Sequence, residues 1–400
     1  MFGCQGMGEI RMRRKRWGKA RWKAANGRKR TGQRRRNAVK TECLVMTGGV
    51  LLLLTLVLQA LARLVPGFAE WYATSVYTWI VGIVGRICGI FPFSVVEIGL
   101  YVVVFGGIWY VASHLKEWKR MLAVLFSFSS LLLFLYTVNC GINYYRVPFS
   151  RYLDLDVRES SKEELAELCQ ELVLRVNEAA ARVEASNAPD GVAMKAEQTQ
   201  EGTDLSYLDQ LEMAKIGQAA MVRMGKEYEQ LGGFYPRPKP VLVSWILSVQ
   251  QLSGIYSPFT VEANYNWKMT GYNIPHTVCH ELSHLKGFMR EDEANFIGYL
   301  ACIGSDDAFF QYSGYLTGWV YAGNALAGQD WEQFALLHDQ LCPQAIADLQ
   351  ANNVFWDRYE GEIAEAANQV NDTYLKINSQ EDGVKSYGRM VDLMLAYRRR

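Results

Sequence analysis

"HTVCHELSHLKGFMREDEANF", residues 276–296, carries three of the chain's five histidines within nine residues. Two of them flank a glutamate in the order His280-Glu281-Leu282-Ser283-His284. Pro275 suits the first turn of a helix and Gly287 is a stop signal, so the stretch between them is expected to be helical. On a helix His280 and His284 share one face, one turn apart. Two imidazoles so placed can chelate one Zn²⁺ at about 2.0–2.1 Å. Glu281 is turned about 100° from His280 around the axis. Its carboxylate therefore falls beside such an ion rather than on it, where it can act as general base toward a zinc-bound water.

Catalytic zinc usually has three protein ligands and one open position. Gly287 lets the chain turn sharply, and "EDEANFIGYLACI" then starts a second apolar-periodic helix. A carboxylate in its first turn can point back at the first helix. Glu291 is the expected third ligand and Glu293 the alternative. His276 lies one turn before His280, but three histidines on one straight helix make a poor tetrahedral set, because the face drifts by about 40° every four residues. It is read as a substrate-pocket or supporting residue, or else as an ordinary residue at a helix start. The bare H-E-x-x-H string is only moderately specific. The glycine, the acidic helix after it and the strand expected before it set this instance apart from a chance match.

The chain of 400 residues is half apolar, and its net charge of +1 conceals an asymmetry. Residues 1–40 hold 15 Lys/Arg and one acid, so the remainder is acidic overall. A basic head on an acidic body suits either nucleic acid or the anionic inner face of a membrane. "RMRRKRWGKARWKAANGRKR" mixes Trp with Arg and Lys, as base stacking would need. Its place just before a long apolar run favours the membrane and makes nucleic acid the weaker reading. The eight cysteines form no C-x-x-C pair, which argues against a zinc ribbon or a thioredoxin-like site. A disulfide among Cys169, Cys279, Cys302 and Cys342 remains open.

Three apolar runs reach the roughly 20 residues that span a bilayer: about 44–65, 94–113 and 121–142. A fourth, 76–93, is shorter and contains Arg86, which would cost about 3 kcal/mol at mid-bilayer. It is expected to be an interfacial or re-entrant helix. With three spans the basic head and the loop holding Lys116, Lys119 and Arg120 both fall in the cytoplasm, as the positive-inside rule requires. Residues 144–400 then lie outside. The run before Pro66 lacks the small-x-small exit site of a cleavable signal peptide.

In that outer part, 161–184 and 205–231 have the period of amphipathic helices, with a polar loop (187–204) between them. Residues 236–249 and 254–267 look like strands. Helices are expected over roughly 292–304, 306–327, 330–350, 354–378 and 383–397. The fold class is therefore α+β, mostly helical. "SPFTVEANYNW" could provide an edge strand beside the metal for an extended peptide. Glu262 within it is either structural or in contact with substrate. In "YSGYL", Tyr312 or Tyr315 could donate to an oxyanion, or both could be core residues. His114 and His338 are isolated and receive no role.

"SPFTVEANYN", "PHTVCHELSHLKGFMREDEANFIGYLAC" and "YSGYL" together resemble a bacterial membrane family catalogued as domain of unknown function 3810. "FPFSVVEIGLY", "NYYRVPFS" and "QEDGVKSYGRMVDL" extend the resemblance over about 90–400. It implies a zincin-like domain and no substrate. Phe stands in that family's pattern where this chain has His276, so the resemblance gives that histidine no role. Glu291-Asp292-Glu293-Ala294-Asn295 is also similar to the second motif of gluzincin peptidases, E-x-x-A-D/N. That likeness implies Glu291 as ligand and Asn295 as a residue orienting a ligand. The spacing between the two motifs is shorter than in gluzincins and close to that of metzincins, but Arg290 stands where metzincins place a third histidine.

The expected function is a membrane-anchored zinc metallopeptidase acting on peptide or protein substrates outside the cytoplasmic membrane. The alternative is a non-catalytic membrane protein whose zinc site is structural or sensory. Membrane lipids are the other expected partner, and the sequence leaves the oligomeric state open.

Overall fold

A computed structural model of the chain describes residues 39–186, 197–199, 202–204, 207–378, 380 and 389–400. The basic head as far as residue 38, most of the loop at 187–204 and the beginning of the last expected helix lie outside the described residues. What is described is mostly helical, with a few short strands.

Among the described residues, three helical stretches are long and apolar enough to cross a membrane: α1 (Val39–Leu64), α3 (Val95–His114) and Trp118–Tyr145. The last consists of α4 (Trp118–Tyr136) continued through a π-helical turn and a 3₁₀ turn. Each lies within a few residues of the stretch expected from hydropathy. At 1.5 Å per residue even the 20-residue α3 spans about 30 Å. Between the first two stretches, α2 (Tyr77–Gly89) occupies the run interrupted by Arg86.

Two compact units emerge. One holds the described residues as far as Leu56 together with Val104–Phe134. Most of its side chains are exposed, as a lipid-facing surface requires. Ser130 Oγ there donates to the Phe126 carbonyl one turn back, at 2.8 Å, so that polar group needs no water.

The other unit holds Val57–Val103 and Leu135–Arg400. It therefore takes in α2 and the first turns of α3 as well as the part after residue 144. On α2, Tyr77, Val81, Gly85 and Cys88 face inward while Trp79, Ile83 and Ile87 face outward. The Tyr77 hydroxyl donates to the Leu285 carbonyl at 3.1 Å and shares a 2.8 Å hydrogen bond with Tyr256.

After α5 (Lys162–Ser186), a two-stranded ribbon of β1 (Glu197–Thr199) and β2 (Gly202–Asp204) and α6 (Tyr207–Glu227), the chain forms a small sheet. Its order is β3 (Lys239–Pro240), β5 (Glu262–Tyr265), β4 (Gly254–Ser257). β3 runs parallel and β4 antiparallel to β5, with Ile255 opposite Asn264. The strand expected over 236–249 is thus confined to two residues, and Trp245–Ser248 is a helical turn. Proline at 236, 238 and 240 removes ladder donors. The amides of Leu242 and Val243 point instead at the Glu97 carboxylate, at 2.8 and 2.9 Å.

Glu97 stands in the first turn of α3, and the sheet answers it. Glu262 accepts from Val95 N at 3.2 Å and Val96 N at 3.0 Å, satisfying donors that a helix start leaves free. Lys239 ion-pairs with Glu262 in a fully buried position and donates to the Cys88 carbonyl at 2.7 Å. Glu262 is therefore a structural residue.

The core is completed by α7 (Asn273–Leu285), α8 (Glu291–Ile303), α9 (Ala308–Gln329), α10 (Trp331–His338), α11 (Pro343–Asp357), α12 (Glu362–Ile377) and α13 (Met390–Arg398). The expected helix 330–350 is broken before Pro343, which starts α11 at a position where proline is well tolerated. Residues 354–357 close α11, and Gly361 precedes α12. The cysteines at 169, 279, 302 and 342 are unbridged, and the first three are buried.

Replacing Glu262 by Ala would strand a buried lysine and unsatisfy the start of α3. Loss of one partner of a buried pair costs about 3–5 kcal/mol. Thermal unfolding of the purified protein in detergent should show a marked fall in midpoint for this variant. An unchanged midpoint would contradict the clamp.

Candidate metal centre

α7 is buried along nearly its whole length. Ile274, Val278, Leu282 and Leu285 pack into the core while the histidine face meets a cleft. The helix ends where Gly287 adopts φ +89°, a backbone conformation that glycine takes without strain. Gly287 N donates to the His284 carbonyl at 2.8 Å and Phe288 N to the Ser283 carbonyl at 3.2 Å. This reversal sends α8 back past α7 and sets Glu291, its first residue, over the two imidazoles.

Glu291 Oε2 lies 3.3 Å from His280 Nε2 and 3.6 Å from His284 Nε2. All three donor atoms fall within 4.8 Å of one another. Tetrahedral ligands at about 2.0–2.1 Å from zinc are separated by roughly 3.3 Å, so this set has the spacing to hold one divalent ion. His284 Nδ1 is 2.8 Å from the Phe288 carbonyl, which directs its Nε2 toward the donor set. His280 Nδ1 is buried without a hydrogen-bond partner.

Burial alone would lower the His284 pKa, but the Glu291 carboxylate outweighs it and lifts the value to about 9. Burial opposes ionisation of Glu291, and the two imidazoles nevertheless hold its carboxyl well below the usual range.

Glu281 Oε1 lies against Gly254 of β4. A Cβ at residue 254 would sit 2.5 Å from Glu281 Oε1, so only glycine leaves room for the carboxylate. Oε2 has no hydrogen-bond partner. Burial pushes the Glu281 pKa up to about 7, against the pull of His280 and His284. A buried carboxyl whose ionisation is opposed by its surroundings therefore stands next to the donor set.

His276 is outside the three-residue set. Its Nε2 lies 3.1 Å from the Asn295 carbonyl, and burial drives its pKa down to about 3, leaving it neutral. It lines the same cleft. Asn295, one turn after Glu291, lines the same cleft, and its Nδ2 is buried without a hydrogen-bond partner. Glu293 points elsewhere and accepts from Phe149 N at 2.7 Å, so the turn brings Glu291 and not Glu293 to the histidines. Asp292 pairs with Arg389 at 3.4 Å.

The cleft has a volume of about 1130 Å³ and is bounded by β4, α7, α8, the second half of α9, and α12. β4 is the edge of the sheet, whereas β5, which holds most of "VEANY", is its centre. Tyr312 does not reach the cleft; its hydroxyl donates to buried Asp348 at 2.6 Å. Tyr315 packs edge-on to Tyr299, with centroids 6.5 Å apart. Tyr321 on the same helix lines the cleft instead, as do Tyr256 and Tyr144. Residue spacing alone carries no mark that singles out Tyr321, because it requires knowing which face of α9 meets α8.

Zn²⁺ affinity of the purified protein, measured by competition with a chromophoric chelator, should separate the carboxylates. Replacing His280, His284 or Glu291 by Ala is expected to weaken binding beyond the roughly 10–100-fold typical of supporting residues. Glu293→Gln should stay within a few-fold of the parent protein, and equal losses for Glu291→Ala and Glu293→Gln would contradict the geometry.

Residues 72–395 match a family described as protein of unknown function (DUF3810). Comparison with curated proteins and comparison with solved structures each gave no match. The family match begins at Tyr72, upstream of the resemblance visible by motif, and takes in α2, α3, the sheet, the cleft and all of α7–α12. It covers most of the chain, and the protein belongs to this family of unknown function.

Proposed function

We propose that this protein is a membrane-anchored zinc-dependent metallopeptidase that hydrolyses peptide bonds outside the cytoplasmic membrane. The observation that supports the reading is the convergence of His280, His284 and Glu291 on one point, with the buried carboxylate of Glu281, whose Oε2 has no hydrogen-bond partner, close by in a cleft bordered by an edge strand. Those three side chains would hold a zinc ion, which would supply Lewis acidity toward a carbonyl and a water molecule.

The chain's own groups account for the rest. Glu281 is positioned to accept a proton from the attacking water and return it to the leaving amine. β4 offers backbone groups to an extended peptide, which would lie across the cleft in strand conformation. Tyr321, which lines the cleft, is the phenol we assign as donor to a developing oxyanion. His276, neutral and bonded to the α8 backbone, steadies the approach of α8 to α7. The zincin-like domain and its placement outside the membrane follow from the same reading. The orientation is supported by 15 Lys/Arg in the first 40 residues and by Lys116, Lys119 and Arg120 between the second and third apolar stretches.

Glu281→Gln tests this reading. The variant should retain zinc while losing cleavage by about 10²–10⁴-fold, the usual contribution of general acid–base catalysis. Gly254→Ala, which pushes the Glu281 carboxylate from its place, should lower kcat with zinc content unchanged. Zinc-loaded wild-type protein that cleaves nothing in an unbiased peptide library, with Glu281→Gln equivalent to it in cells, would instead establish a structural or sensory zinc site.

A further inference from the structure

Residues 240–261 contain no Asp, Glu, Lys or Arg, although about one residue in five of the whole chain is charged. This segment runs from the end of β3 through the whole of β4. Leu242, Val243 and Trp245 within it are 51%, 43% and 58% exposed. Ser244 between them turns inward, with its hydroxyl donating to the Val241 carbonyl at 2.7 Å and accepting from Trp267 N at 3.1 Å. Three large apolar side chains are thus displayed by a backbone that is itself firmly held.

What holds it is the start of an apolar helix. Both Glu97 oxygens, in the first turn of α3, accept from the amides of Leu242 and Val243. Lys239, just before the segment, is bonded to the Cys88 carbonyl at the end of α2. The chain between α2 and α3 adds Ile90, Phe91 and Phe93, all exposed, and α2 contributes Trp79, Ile83 and Ile87. If α3 crosses a bilayer, a loop bonded to its first turn sits at headgroup depth. That is where Trp is favoured and where charge is least needed on the side facing lipid. An apolar surface of this extent is unusual on a protein face that meets only water.

We propose that Leu242, Val243 and Trp245 are seated in the lipid headgroup layer beside α3, so that the cleft opens at the membrane surface and takes the membrane-proximal stretch of anchored protein chains. The second half of the proposal rests on the peptidase reading above. Gln250, Gln251, Leu252 and Ile255 line the cleft. Trp245 and Gln250 are five residues apart, and five residues reach at most about 18 Å. The rim of the cleft is therefore within a short extended stalk of the bilayer. Ile255 and Phe259, 43% and 42% exposed at that rim, keep it apolar.

The test uses the full chain in vesicles of phosphatidylethanolamine and phosphatidylglycerol. Nitroxide labels are placed at Val243→Cys, Trp245→Cys and, as a water-facing reference on α10, Leu336→Cys, in a background with Cys4, Cys43 and Cys342 replaced by Ser. Labels at 243 and 245 should collide with oxygen in preference to a water-soluble nickel complex, and the label at 336 should do the reverse. Nickel access at 243 and 245 equal to that at 336 would overturn the proposal. Shielding from both reagents would also overturn it, since a second copy or another protein would then cover the face.

For the substrate class, Trp245→Glu is compared with the parent on one fluorogenic peptide, offered free and attached to a lipid anchor. Tethering raises effective concentration by orders of magnitude, so the parent should favour the anchored form and the variant should lose at least about tenfold on that form alone. Equal effects on both forms would refute the substrate class. Cleavage that does not depend on Glu281 would refute the peptidase reading instead, and leave the labelling result to decide the lipid contact.

Discussion

The candidate site depends on one reversal of the chain. If the turn at Gly287 opened by a few ångströms, Glu291 would leave the imidazoles and nothing would converge. The turn is braced from outside. Arg146 donates to the Lys286 carbonyl at 2.9 Å and lies over the Phe288 ring, 3.9 Å from its centroid. Lys286 reaches the Gly232 carbonyl at 2.8 Å and stacks over Tyr235. Two buried cations therefore tie the link between α7 and α8 to segments far apart in sequence. Each has an aromatic face or a carbonyl in place of the water it has lost.

A second set of constraints links the same unit to its apolar helix. Glu262 leaves the centre of the sheet to satisfy the first amides of α3, and Glu97 leaves α3 to satisfy the loop that would otherwise extend the sheet. The exchange is reciprocal, and it is anchored by Lys239. Its consequence is that β4, next to β5 in the sheet, has little freedom relative to the first turn of α3. The segment that borders the cleft and the exposed apolar segment of Leu242, Val243 and Trp245 are thus joined by a backbone tied to the first turn of α3.

Much of this was legible in the sequence for simple reasons. Apolar runs announce helices of membrane length because composition and length alone decide the matter. The spacing of four in His280–His284 and the glycine after them place two imidazoles and a turn by local geometry. That Glu291 lies by the two imidazoles was legible because a reversal at a known place leaves few carboxylates able to reach them. The rest needed tertiary knowledge. Residues 236–249 have strand composition, yet their amides are taken by Glu97, a carboxylate some 145 positions earlier. Tyr312 and Tyr321 are indistinguishable until the face of α9 that meets α8 is fixed. Glu262 could have been read as substrate-binding from its place beside the edge strand. Only its bonds to Val95, Val96 and Lys239 reveal its structural role.

The central claim is that two imidazoles and one carboxylate grip a single ion, and X-ray absorption at the zinc edge of the purified, zinc-loaded protein addresses it most directly. The account predicts a shell of nitrogen and oxygen at about 2.0–2.2 Å with the outer-shell pattern of two histidines, reduced to one in His284→Ala. A sulfur shell at about 2.3 Å, or an oxygen shell without imidazole scattering that is unchanged in His284→Ala, would contradict it.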